Sequence, residues 1–271
     1  MTLIDLSIEA KHNFLPGSLS LEFLAKLREQ LVNCIIEVAG EITKKAEEDT
    51  QLKKFFDKEG LAQDDTIINF NYDLLCDNAL HKTGLWNPYK GISEKICGYG
   101  FGLIEDFKKS PLSRVQYLKL HGSINFRNYD GYIGLNWDLF DPDKKSRTVE
   151  VSKFWNTIIT PSFMKTFELM PLRMMWIYAQ KSIAEAEKIY IVGYSFPKAD
   201  ALARNLLLNA NFETLQKIII IDPLTTDFSE LENKKVEKRE DIISMLPWQK
   251  DSYWGVENIK IIPESLSDYL R

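Results

Sequence analysis

From residue 18 to about residue 49, apolar residues recur mostly at spacings of three and four: Leu19, Leu21, Phe23, Leu24, Leu27, Leu31, Cys34, Ile35 and Val38. That period predicts one long amphipathic helix, or two with a break near Gly40. Pro16-Gly17-Ser18 ahead of it supplies a turn and an N-cap. The period then changes. Residues 66–70, Thr-Ile-Ile-Asn-Phe, are short, β-branched and preceded by Asp64-Asp65, which reads as a buried strand. Residues 115–120, 189–192 and 218–221 have the same character. They end at His121-Gly122-Ser123, Gly193-Tyr194-Ser195 and Asp222-Pro223.

Helical spacing over residues 174–187 and 199–212 separates the later strands. Strands that alternate with helices and are apolar on both faces predict an α/β fold, a parallel sheet flanked by helices. Residues 1–60 form a helical segment in front of it, and residues 61–271 read as one compact unit. Residues 125–160, with Tyr129-Asp130-Gly131-Tyr132 and Asn136-Trp137-Asp138, predict a small hairpin excursion from the sheet. No internal repeat or low-complexity tract interrupts the pattern.

Composition narrows the function. The 271 residues are 45% hydrophobic and 27% charged, the balance of an ordinary globular chain. Lysine and arginine number 34 against 39 acidic residues, a net charge of −5 without long blocks of either sign, which argues against direct nucleic-acid binding. Cys34, Cys76 and Cys97 form no C-x-x-C pair for zinc or redox work and read as reduced thiols of a cytoplasmic protein. The opening Met-Thr-Leu-Ile-Asp-Leu lacks the basic region and apolar block of a secretory signal. No apolar run approaches the roughly 20 residues needed to span a bilayer, so no membrane partner is expected.

The chemistry-bearing residues gather at strand ends, where ligands bind in open parallel sheets. The first strand delivers Asn71 and Asp73, the second His121 with Gly122 and Ser123 beside it. Gly193 lets a ligand approach the backbone, and Ser195 stands where the next helix begins, a setting that favours phosphate. Asp222 places a carboxylate where a ribose diol can donate to it. Each residue also has a plainer use. A histidine after a strand can be structural, Gly193 and Ser195 an ordinary turn, Asp222 before Pro223 a turn starter, and Asn71 and Asp73 helix caps. The joint occurrence favours function. Gly98-Tyr-Gly-Phe-Gly102 follows no strand and reads as a loop, and His12 and His81 read as surface residues.

Taken together, Phe-Asn-Tyr-Asp (70–73), Leu-Lys-Leu-His-Gly-Ser (118–123), Ile-Val-Gly-Tyr-Ser-Phe-Pro (191–197) with Asp200, and Ile221-Asp222 resemble the bacterial sirtuin-like domains. These are a branch found in antiphage defence proteins that hydrolyse NAD. Pro161, Lys165 and Trp176 also match the family's lead-in to the Gly-Tyr-Ser strand, and the likeness runs over about residues 61–225. The resemblance implies a Rossmann-like domain that acts as an NAD+ glycohydrolase, with NAD as substrate and no metal. It implies His121 as the base, Asn71 as the amide that orients water or ribose, and Asp73 as the acid on the nicotinamide side. Gly122, Ser123, Gly193, Ser195 and Asp222 would be cofactor contacts. A homo-oligomer or a partner defence protein is also implied.

Two departures from the family pattern shape the alternatives. The paired cysteines of the deacetylases' zinc ribbon are missing, so protein deacylation is the weaker reading. The Gly-Ala-Gly-x-Ser loop that wraps the NAD pyrophosphate is not found before Asn71. An amino-terminally incomplete domain, pieces supplied by another chain, or a degenerate module that binds a nucleotide or partner without catalysis would each fit that difference.

Overall fold

The computed structural model describes residues 19–45, 50–86, 115–129, 132–135, 158–159, 170–194, 200–211, 213–223 and 258–271, with a few positions before residue 19. The chain divides into two compact units, Met1–Ile177 and Tyr178–Arg271.

In the first unit, helix α1 (Leu21–Lys45) runs through Gly40 without a break. A mid-helix glycine costs about 1 kcal/mol relative to alanine, but packing at the preceding Ala39 offsets it. Ala39 packs with Leu74 and Ile124, with Ile36 and Tyr72 at the margin. The N-cap is Ser20, whose hydroxyl accepts from the Phe23 N–H at 3.1 Å. Ser18, the cap expected from sequence, lies outside the described residues. Lys44 and Lys45 close the helix, favourably placed against its dipole. Helix α2 (Gln51–Glu59) follows and packs on α3 (Leu75–Thr83).

Strands β1 (Thr66–Asn69) and β2 (Gln116–Lys119) pair in parallel, with Thr66 opposite Gln116 and Asn69 opposite Lys119. β2 is almost wholly buried, whereas β1 is half-buried along its length and not the fully buried strand its composition suggests. Past the second strand, β3 (Phe126–Tyr129) and β4 (Tyr132–Leu135) form the antiparallel hairpin expected in that region. Residues 136–157 of the expected excursion lie outside the described residues.

The boundary between the units falls within α4 (Met170–Glu185). The second unit contains β5 (Lys188–Val192), helix α5 (Ala201–Leu206), β6 (Lys217–Ile221), β7 (Ile259–Ile262) and the short α6 (Leu266–Tyr269). Its three strands form a parallel sheet in the order β5-β6-β7. Central β6 is buried on both faces from Ile218 to Ile221, which is why it reads as an unbroken isoleucine run. β7 was not expected from sequence, and the helix after β5 is shorter than the 199–212 pattern suggested. Among the described residues the strands thus make small parallel sheets with helices, an α/β arrangement, and one hairpin.

Candidate functional site

Parallel pairing of β1 and β2 sets up the first cluster. Because Asn69 lies opposite Lys119, the two chains leave the sheet side by side, and Asn71 and His121 each follow two residues later. His121 is only 8% exposed. Its Nδ1 lies 3.1 Å from the carbonyl oxygen of Phe70. A carbonyl can only accept, so Nδ1 carries the proton and donates, and in the neutral ring the lone pair is on Nε2. Three aromatic rings surround the imidazole, with centroids at 5.3 Å for Phe70, 6.2 Å for Tyr72 and 6.3 Å for Trp176. The Trp176 indole N–H donates to the Leu120 carbonyl at 3.0 Å, which ties α4 to the residue just before the histidine.

The turn 70–74 that faces His121 is held from several sides. Ile124 N–H donates to the Tyr72 carbonyl at 3.0 Å and the Ser123 hydroxyl to the same oxygen at 3.4 Å. The Tyr72 hydroxyl donates to the Ile159 carbonyl at 2.6 Å, and Ile159 N–H donates to the His121 carbonyl at 2.9 Å. From α1, the buried Thr43 hydroxyl accepts from Leu74 N–H at 3.1 Å while donating to the Ala39 carbonyl at 2.8 Å. The amino-terminal helix therefore belongs to the framework of this turn.

The expected site residues divide in their surroundings. Asn71 is exposed, and its N–H donates to the Asn69 side chain at 2.8 Å. Asp73 is buried, and its Oδ1 accepts from Leu75 N–H at 3.1 Å, two residues on, so one carboxylate oxygen is engaged by the backbone just ahead of α3, whose N-cap is Leu74. Gly122 has φ +83° and bridges Ile158. Ser123 is fully buried, with its hydroxyl on the turn.

In the second unit, Gly193 and Asp222 continue the sheet by one residue each: Gly193 N–H donates to the Ile221 carbonyl at 2.9 Å and Asp222 N–H to the Ile262 carbonyl at 3.2 Å. They stand at neighbouring carboxyl ends of β5 and β6. Gly193 has φ +63°, and among the described residues no atom beyond its chain neighbours lies within 4 Å of where a Cβ would stand, so the backbone conformation selects glycine. Ser195 lies outside the described residues. Asp200 caps α5 through Ala203 N–H at 3.3 Å and accepts from the Tyr194 hydroxyl at 3.1 Å. Burial, and then the Asp200 carboxylate, raises the Tyr194 phenol far above its ordinary value.

Sequence reasoning missed a buried polar chain in the first unit. The Asn69 amide donates to the Tyr117 hydroxyl at 2.8 Å, and that hydroxyl donates to Asp77 Oδ2 at 2.6 Å. The Lys119 ammonium donates to the same Asp77 oxygen at 2.9 Å and to the Asp73 carbonyl at 2.5 Å. Lys119 and Asp77 are each 1% exposed. Burial, followed by the Asp77 charge, pushes the neighbouring Cys76 thiol up to about 12 and the Tyr117 phenol well above its ordinary value. Cys76 is therefore an inert thiol at neutral pH.

Asn125 was missed too. It is fully buried, and among the described residues neither its Oδ1 nor its Nδ2 has a hydrogen-bond partner. Unpaired buried amide atoms cost about 1–3 kcal/mol, so Asn125→Leu, which keeps the branching and removes the polar atoms, is expected to raise the melting temperature. A lower melting temperature would show that the amide is stabilising where it stands.

Among the described residues no three His, Cys, Asp or Glu side chains are grouped to hold a metal ion, and no helix is long and apolar enough to cross a membrane. Comparison with known proteins adds no relative: no protein-family model, curated protein or solved structure matches this chain.

Proposed function

We propose that this chain is a sirtuin-like NAD+ glycohydrolase with a Rossmann-like domain, releasing nicotinamide and ADP-ribose. The observation that carries the reading is the setting of His121. Its Nδ1–H is spent on the Phe70 carbonyl, and the ring stands among Phe70, Tyr72 and Trp176. That tautomer puts the basic lone pair on Nε2, as a general base requires. Aromatic faces suit a planar cation such as the nicotinamide ring or the oxocarbenium-like sugar that its departure leaves.

In the reaction, the C–N bond between ribose and nicotinamide breaks with its electron pair going to the ring nitrogen, so nicotinamide leaves neutral. Water adds to the sugar carbon and gives up a proton to His121 Nε2. Asn71, leaving β1 beside His121, is assigned to orient the water or a ribose hydroxyl. Asp73 is assigned to the carboxamide side with the carboxylate oxygen that does not accept from Leu75 N–H. Gly122, Ser123, Gly193, Ser195 and Asp222 are assigned as nucleotide contacts, and a role in antiphage defence follows from the same resemblance.

The test is incubation of the purified chain with NAD+ and chromatography of the products. Equal amounts of nicotinamide and ADP-ribose are expected. A rise in melting temperature with ADP-ribose while NAD+ stays intact would instead identify a non-catalytic binding module. Turnover only with an acetyl-lysine peptide would identify a deacylase.

A further inference from the structure

The buried chain Asn69–Tyr117–Asp77–Lys119 has no part in the chemistry above, yet it ends on the turn that faces His121. A lysine inside a sheet is costly, and its attraction to a buried carboxylate offsets that cost only where further hydrogen bonds are satisfied. Here they are. Asp77 Oδ2 also takes the Tyr117 hydroxyl, and the Lys119 ammonium also donates to a main-chain oxygen, that of Asp73.

The choice of oxygen is informative. Turn 70–74 offers the Phe70 carbonyl to His121, the Tyr72 carbonyl to residues 123 and 124, and the Asp73 carbonyl to Lys119. Lys119 and His121 lie two residues apart on one strand exit. A single backbone segment is thus gripped by the ammonium at one end while it grips the imidazole at the other. An apolar side chain at position 119 would fill the space without holding the turn.

We infer that Lys119, charge-balanced by Asp77, is a positioning residue: it holds turn 70–74 at the height where the Phe70 carbonyl fixes His121 in its Nδ1–H tautomer. The activity arm of the test rests on the NAD reading above, and the spectroscopic arm does not.

The test compares wild type with the double variant Lys119→Met/Asp77→Leu. Removing both charges leaves none buried and unpaired, so the fold is expected to persist, as checked by a cooperative melt. Long-range 1H–15N correlation of histidine-labelled protein reads the tautomer, with His121 told from His12 and His81 by substituting each of those two. Wild type is expected to show one Nδ1–H species at His121, and the folded double variant a mixture with Nε2–H. On the NAD reading, kcat for nicotinamide release falls about a hundredfold, the scale of an ångström's misplacement, with KM changed less than about twofold.

A folded double variant that keeps the single Nδ1–H species would overturn the proposal and leave the pair as structural. So would a wild type that already shows the mixture. If the double variant does not fold, Lys119→Gln, which keeps a donor but loses charge and reach, is judged by the same signals. Absence of NAD turnover in every protein would sink the NAD reading while the tautomer still decides the positioning role.

Discussion

Asp77→Ala is expected to destabilise the protein by about 3–5 kcal/mol, the range for removing one partner of a buried ion pair. Three groups lose by the change. The Lys119 ammonium, 1% exposed, would have no counter-charge, and the Tyr117 hydroxyl would lose its acceptor. The α3 helix would also lose the two hydrogen bonds that Asp77 takes from β2. For a chain of this length the loss corresponds to a fall in melting temperature of roughly 10 °C. Asp77→Leu combined with Lys119→Met should recover most of it. A single-variant loss below about 1 kcal/mol, as for a surface pair, would mean that water reaches the ammonium and that the pair is not truly buried.

Stability is also expected to fall in alkali, through Cys76 and Tyr117. Burial and the Asp77 charge push the Cys76 thiol from 9.0 up to about 12 in the folded chain. Below pH 9 both folded and unfolded chains keep the proton, and the contribution is fully present. Between the two values the unfolded chain ionises while the folded chain cannot, so the unfolded state binds fewer protons and stability drops as pH rises. The slope is about 1.4 kcal/mol per pH unit for each such group, and for Cys76 roughly 4 kcal/mol over the whole interval. Tyr117, held well above its ordinary 10.0 by the same burial and charge, adds to the slope beyond that pH. Melting curves from about pH 8 to about pH 10.5 should therefore steepen downwards, and Cys76→Ala should flatten the first part of the decline. Parallel curves for wild type and Cys76→Ala would contradict the assignment.

Much of the fold could be read locally. The helical period marks out α1, but of the apolar residues that carry it only Leu24 is buried while Phe23, Leu31 and Val38 are exposed, and the core face is made by Leu24, Val32, Ala39 and Thr43. The isoleucine run at β6 identifies a strand covered on both faces. The hairpin at residues 126–135 followed from its turn residues. β7 escaped because Ile-Lys-Ile-Ile is only four residues long and half-alternating; what makes it a strand is its register on β6, with Ile218 opposite Ile259. The break allowed at Gly40 did not occur because packing on Leu74 and Ile124 outweighs the local propensity.

The candidate site was legible as strand ends, with His121 singled out by its place after an apolar run. What it leans on was not. Lys119 bonds to a carboxylate 42 residues away and a carbonyl 46 residues away, and no local period reports such pairs. One signal was present. A lysine in the middle of Tyr-Leu-Lys-Leu-His, inside a strand read as buried, requires an acid, and Asp77 lies one helical turn beyond Asp73. Asn125 left no comparable mark, since its unpaired amide is a property of its surroundings alone.

The most direct measurement is the rate of nicotinamide release from NAD+ by the wild type and by His121→Ala, side by side at equal protein concentration. Wild type should release nicotinamide, with the variant slower by about a hundredfold to ten-thousandfold, the usual worth of a general base. Equal rates from the two proteins, or no release from the wild type, would contradict the assignment of His121 as the base of an NAD+ glycohydrolase.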